Sequence, residues 1–446
     1  MKRIYMLIAT VAILSIPAIA GAQSVRGGYF FETSLQRGRL NAAFAPQNNY
    51  VSIPLLGFSG TDVVSNVGLG NFVFPSGGKA YNFMNENVPD ETFFSKLPES
   101  DPYFRDRFET DLLGGGFRIG NDGYVTVAAS LLEESNLVIP NEFLRFAKLN
   151  QSATVRGPYV DACLYGVISA GYSHDLSSIL EGLHLGARVK VLTGLAAAEV
   201  DIRKLSVTLE HDMIAAQTDG GGTLVGLKFA NKKIRPDNIG INGIGVAFDL
   251  GFEYRIKFDG FINGINISAS ANDLGGKINF KKSVSKLSTG ASASYTGLGE
   301  LGGGDRDIKA EIDRIVKDFS ELADISSSEG GSYSHAISPS YYAGLEVPFL
   351  NEMVSLGALY YRTMGFNNLM VSCNVSPARW LNLGINGTFL GAANTYGFYA
   401  EFIPRKWVGV FFGFDTSSLK TNKQYIPIEN FTQSGCLGIN VVFGGR

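Results

Sequence analysis

Four histidines, His174, His184, His211 and His335, are the first residues to test for chemistry, because imidazoles at fixed short spacing are the commonest zinc-ligand pattern. They fall in separate segments without that spacing, so each reads as an interior or loop residue and no metal is expected. The triplets Gly114-Gly115-Gly116 and Gly220-Gly221-Gly222 resemble phosphate loops only in glycine content. Neither continues to Gly-Lys-Ser/Thr, and both read as strand kinks or turns. Asp305-Arg306-Asp307 lacks the remaining ligands of a calcium loop and suits the start of a helix, where acidic side chains meet the positive end of the dipole. No Gly-x-Ser-x-Gly element occurs. The local motifs therefore give no catalytic residue, no cofactor and no enzyme.

One polar constellation remains. Asp249, Glu253, Arg255, Lys257 and Asp259 alternate along one stretch, and His184, Arg188 and Lys190 along another. Such charges could line a conduit and select solutes. Being of mixed sign, they could equally pair with one another and fill an interior, which is the reading the residue types favour.

The elements that hold these charges have a strict period of two. In 246–259, VAFDLGFEYRIKFD, the even positions include Phe248, Leu250 and Phe252 and are wholly apolar, while the odd positions carry the charges. In 381–389, LNLGINGTF, the odd positions include Leu381, Leu383, Ile385 and Phe389, and the even ones read Asn, Gly, Asn, Thr. The same dyad recurs at 183–191, 354–361, 369–376, 396–402, 407–414 and 437–443. At a rise of ~3.3 Å per residue the run 246–259 outlasts an ordinary strand and can cross a bilayer at a tilt. The wet faces are rich in Gly, Asn and Ser, and large aromatics sit near strand ends. These features favour a closed antiparallel transmembrane β-barrel over a two-sheet sandwich, with twelve to sixteen strands by count.

Composition agrees. Of 446 residues only 18% are charged, while there are 54 Gly, 31 Phe and 19 Tyr, a mixture that suits strands and tight turns. Lys2 and Arg3 precede the apolar run 4–16, and Ala20-Gly21-Ala22 follows Pro17, so 1–22 reads as a secretory signal peptide cut after Ala22. Gln23 at the new terminus excludes a lipoprotein. Removing Lys2 and Arg3 takes the formal charge from −3 to −5, and no basic block offers a nucleic-acid footprint. Cys163, Cys373 and Cys436 are few, odd in number and far apart, so they read as small hydrophobes rather than a disulfide frame. No apolar run long enough for a membrane helix follows the signal.

The connections supply an independent test. Counted from the C-terminus, the long ones at 417–433 and 284–337 fall on the same side, and short turns at 404–406, 376–379, 349–352 and 259–260 on the other. An even-stranded barrel requires this arrangement. Within 284–337, apolar residues at helical spacing predict an amphipathic helix over 305–325, and a second short helix is expected over 141–149. The mature chain, 23–446, reads as one barrel domain. Its segment 23–101 alternates poorly and is expected to run partly inside the wall.

The stretches YFFETSLQRGRLNAAFAPQNNYVSIPLLG at 29–57, SNVGLGNFVFP at 65–75, VKVLTGLAA at 189–197, FDLGFEYRI with INISASANDLG at 248–275, and GINVVFGGR at the end resemble a family of Bacteroidota outer-membrane β-barrel proteins whose domain has no known function. Members are similar in architecture to long-chain fatty-acid transporter barrels and to barrels of the type IX secretion system. The resemblance implies about fourteen strands in the outer membrane, insertion by the barrel-assembly machinery, outer-membrane lipid as neighbour, and a channel for a hydrophobic or small solute; a scaffold or cargo carrier for secretion is the alternative. Where such barrels often have Asn-Pro-Ala-Phe, this chain has Asn41-Ala42-Ala43-Phe44, and without the fixed φ of proline a rigid N-terminal hatch is not implied. The faces predict that Leu250→Arg disturbs assembly, whereas Gly251→Arg is tolerated if the lumen has room.

Overall fold

The computed structural model describes residues 25–76, 79–149, 151–209, 213–230, 233–288, 292–296, 326–403, 407–417 and 427–444. The signal peptide and the helix expected at 305–325 lie outside these residues, as does the turn at 404–406.

Strand-forming runs of period two cannot bury one face in a bilayer and leave backbone groups unpaired, so the sheet must close. It does so through fourteen antiparallel strands. In chain order β1 is Asn49–Ser52 continued by Ser59–Ser65. It is followed by β2 Tyr103–Ile119, β3 Gly123–Val138, β4 Tyr159–Asp175 and β5 Leu183–Leu209. Next come β6 Gly243–Lys257, β7 Gly264–Phe280, β8 Ser340–Phe349, β9 Val354–Thr363 and β10 Phe366–Ala378. The wall ends with β11 Leu381–Phe389, β12 Thr395–Phe402, β13 Gly409–Thr416 and β14 Phe431–Phe443. The two-sheet sandwich does not form.

Closure rests on β1, which pairs with β2 on one side and β14 on the other: Val51 faces both Gly115 and Val441. The strand is interrupted at 53–58, where Leu55 has φ +63°. Hydrogen bonds cross the interruption, from Leu55 N–H to the Asp111 carbonyl at 2.8 Å and from Ile439 N–H to the Leu56 carbonyl at 2.7 Å, so the seam stays satisfied.

Short connections such as 120–122, 258–263 and 350–353 lie at the end that holds both chain ends of the wall, and the long ones lie opposite. The long side is more ordered than the sequence suggested. Alternation pointed to 183–191, yet β5 runs to Leu209, and its upper part pairs with Met213–Val225. The expected loop 284–337 is partly sheet: Val284–Ser288 and Ser292–Thr296 pair with Met213–Val225, and Tyr333–Ala336 extends β7's ladder. These stretches are short and Ser-rich, so no dyad marks them in sequence; the edges of Met213–Val225 and β7 are what they add to. The expected helix Asn141–Leu149 is present and packs Leu144 with Phe83, Val88 and Phe93 at the same end.

The two faces of the wall differ sharply. Along β6 Asp249 is wholly buried while Leu250 is 54% exposed. Phe248 and Leu250 on β6, and Leu383, Ile385 and Phe389 on β11, point outward and are exposed; Phe252 and Leu381 share those faces and are partly covered. Exposed Trp380, Trp407, Phe258 and Phe261 ring one rim, and Tyr341, Tyr360, Phe389 and Tyr396 the other. Two aromatic girdles around an apolar band are what hydrocarbon flanked by headgroups selects. No described helix is long and apolar enough to cross a membrane. The cysteines are free, Cys163 and Cys436 buried.

Leu250→Arg places a cation in this band, at a cost of roughly 2–4 kcal/mol near a bilayer midplane. The variant is expected to show a lower fraction of the heat-modifiable folded species on gels than the wild type; equal folding would contradict the outward assignment.

Candidate functional site in the plugged lumen

The lumen is filled by the chain's own N-terminal residues. From Val25 to Pro46 the segment makes two 3-10 turns, Val25–Gly28 and Arg37–Arg39, and then bends into β1. Tyr29, Phe30, Phe31, Leu35, Leu40 and Phe44 are buried. A segment this aromatic and this basic needs both recesses and carboxylates, and the inward faces of the wall supply each.

Glycines on the wet faces make the recesses. Gly186 on β5 and Gly251 on β6 are register partners, and a side chain at either would overlap Asn41-Ala42-Ala43. A Cβ at Gly384 would come within 3.2 Å of the Phe31 ring, and one at Gly344 within 2.7 Å of Tyr29. The expectation that Gly251→Arg is tolerated is therefore corrected: the plug occupies that space.

The doubt raised by Ala42 is also resolved. Asn41 closes the turn itself, its Oδ1 accepting from Ala43 N–H at 2.9 Å and its carbonyl from Phe44 N–H at 3.1 Å. Its Nδ2 donates to the wall carbonyls of Phe252 and Ala269 at 3.0 and 3.2 Å. Proline's preset φ is thus replaced by a side-chain turn of the Asx kind.

Among the described residues, five ion pairs join plug to wall. Arg26 pairs with Asp62 on β1, Arg37 with Glu253 on β6 at 2.9 Å, Arg39 with Glu109 at 2.6 Å and with Asp111 on β2, and Glu32 with Arg255 on β6. Arg37 and Arg39 also lie over the rings of Phe44 and Phe58, at 3.7 and 4.0 Å from their centroids, which shields them from water. Polar wall side chains bind the plug backbone as well: Ser270 and Ser173 donate to the Leu40 and Ala43 carbonyls at 2.6 Å each, and Leu35 N–H donates to Glu401 at 3.2 Å.

The charges singled out in the sequence divide into two groups. Arg188, Lys190 and Asp249 come together with Asp273: Arg188 donates to Asp249 at 3.1 Å and to the Gly38 carbonyl at 2.6 Å, and Lys190 meets Asp249 and Asp273 at 2.9 and 2.7 Å. Asp273 reaches them because β7 bulges there, with φ +60° at Asp273 and +69° at Gly275. Glu253 and Arg255 form the second group with Arg37 and Glu32. His184 lies 4.0 Å from Asp175 and, with Lys257, borders the open space below the plug. Sequence reasoning missed the partners on the plug, Arg26, Glu32, Arg37 and Arg39, and Asp62, Glu109, Asp111 and Asp273 on the wall. The only signal available was a run of three arginines among aromatics before the first strand.

Two cavities lie on opposite faces of the plug. One, of about 150 Å³, is bordered by Arg26, Gly38, Arg39 and Leu40 of the plug and by β2, β5 and β7. The other, of about 910 Å³, is bordered by Phe30, Phe31, Glu32 and Thr33 and opens toward the short turns, with Glu346, Asn374 and Asn382 on its wall. No group of side chains suited to a metal occurs among the described residues.

Gly251→Arg should expel the plug from its recess. Limited trypsin digestion of the purified barrel is expected to cut the variant at Arg26, Arg37 or Arg39, while the wild type stays protected there; equal protection would mean the recess is not what seats the plug.

Three solved structures show the extent of likeness elsewhere. The toluene transporter TbuX of Ralstonia pickettii is 10% identical over 91% of this chain and 92% of its own, with a TM-score of 0.41. The toluene transporter TodX of P. putida is 10% identical over 90% of each chain, with a TM-score of 0.40, and a FadL homologue of Pseudomonas aeruginosa is 10% identical over 93% and 94%, with a TM-score of 0.41. At such values the likeness fixes neither solute nor mechanism. No curated protein matches the sequence. The model of one family, described as a family of unknown function (DUF5723), matches residues 42–415, from the plug's Asn-Ala-Ala-Phe turn to β13. The chain belongs to that family, DUF5723.

Proposed function

We propose that this protein is a bacterial outer-membrane barrel, inserted by the barrel-assembly machinery, that passes a small solute when its N-terminal plug yields. The observation that carries the reading is the pair of cavities, about 150 and 910 Å³, each bordered by residues of the plug. The plug belongs to no ladder of the wall; ion pairs, side-chain hydrogen bonds and ring packing hold it. Contacts of that kind can be broken one by one, whereas removing a wall strand opens the sheet. The girdled apolar exterior supports outer-membrane lipid as the neighbour. A hydrophobic body on the solute fits Leu40, Leu132 and Val167 on the smaller cavity.

The scaffold reading has one observation of its own. β5, Met213–Val225 and Ser292–Thr296 form a sheet beyond the wall that a bare conduit does not need.

Planar-bilayer recording separates the two. The intact barrel is expected to conduct little, and deletion of 25–48 to give stable openings. Glu253→Gln strands Arg37, a loss of roughly 3–5 kcal/mol for a buried pair, and should give intermittent openings. A plugless barrel that folds and still does not conduct would favour the scaffold.

A further inference from the structure

We propose that the smaller cavity is a binding site for a small organic acid whose carboxylate docks on Arg107 of β2. The proposal deepens the conduit reading and rests on it for the direction in which the acid travels.

Arg107 differs from Arg39, Arg188 and Lys190, which line the same cavity. Arg39 donates to Gln36 and Glu109 at 2.7 and 2.6 Å, Arg188 to the Gly38 carbonyl at 2.6 Å, and Lys190 to Asp273 at 2.7 Å. These are ordinary charge-assisted distances. Arg107 reaches Glu134 only at 3.3 Å and Asp273 at 3.7 Å, and among the described residues its side chain makes no hydrogen bond. Both carboxylates are shared, Asp273 with Lys190 and Glu134 with the Tyr165 hydroxyl at 3.0 Å. A guanidinium carries five N–H donors in a planar fork. Here the fork is held inside the barrel, 21% exposed, at the edge of a cavity it lines.

The cavity's other features choose the acid. Its volume of about 150 Å³ equals that of a known apolar cavity that binds benzene, so a ring-sized body fits. Leu40, Leu132 and Val167 offer such a body apolar contact. Glu134 and Asp273 already lie beside the guanidinium, which disfavours a doubly charged phosphate and leaves a singly charged planar carboxylate as the match for the fork. An uncharged hydrocarbon would leave Arg107 as poorly bonded as before.

Three probes of one shape test this: benzoate, toluene and benzylamine, titrated calorimetrically into the full-length protein in detergent. Benzoate is expected to saturate, with toluene and benzylamine at least tenfold weaker. Arg107→Gln should weaken benzoate at least tenfold, and Arg107→Lys should recover part of that loss, with heat-modifiable migration showing that both variants are folded. Toluene binding as tightly as benzoate, or an Arg107→Gln barrel that binds benzoate like the wild type, would overturn the site. The two readings fail separately. A folded plugless barrel that does not conduct removes the conduit even if benzoate binds, and a conducting barrel that ignores benzoate removes only the acid site.

Discussion

Backbone pairing in a medium without water is the constraint on which everything else depends. An N–H or C=O group facing hydrocarbon has no partner to exchange for, so the sheet either closes or does not insert. Here closure falls to a short first strand, broken at 53–58 and stitched to β2 and β14 by carbonyls of Leu56 and Asp111. Because β1 continues directly from the plug, the residues that complete the wall and those that fill it are neighbours in sequence. Ordering one helps to order the other.

Closure creates the second problem, an interior lined by polar and charged side chains. The wall satisfies part of this by itself, Arg188 and Lys190 pairing with Asp249 and Lys190 with Asp273. The plug supplies the rest, bringing cations to carboxylates, aromatic rings to the recesses at Gly344 and Gly384, and the Asn41-Ala42-Ala43 backbone to the recess at Gly186 and Gly251. Arg37 meets Glu253 with both side chains nearly inaccessible, a geometry that would be costly if either were left alone. The charge pattern of β6 and the glycine content of the wet faces are therefore parts of one arrangement with residues 25–46.

Much of the wall was legible because its signal is local. A period of two over 246–257 or 381–389 names the buried and exposed faces before any partner strand is known, and Leu250 beside Asp249 shows how cleanly the faces separate. The alternation of long and short connections fixed their sides for the same reason. An inner N-terminal segment was expected somewhere in 23–101, but its extent and conformation were not legible: residues 25–46 have no repeat, and they are shaped by contacts with strands more than 200 residues away, such as Asn41 with Phe252 and Ala269. Nor was the sheet beyond the wall, whose short Ser-rich strands carry little periodic signal and form on the edge of Met213–Val225, which itself pairs with β5. Arg107 could be seen as a charge in a strand, but its loose coordination emerges only when Lys190 and Tyr165 are found on its carboxylates.

The central claim, that adjacent residues of one strand face lipid and plug in turn, is tested most directly by spin labels placed singly at Ile385 and Asn386 in cysteine-free protein reconstituted in liposomes. The label at 385 should be relaxed strongly by oxygen, which partitions into hydrocarbon, and the label at 386 should be immobile and shielded from both oxygen and a water-soluble nickel chelate. Equal oxygen accessibility at the two positions, or free access of the chelate to 385, would contradict the account.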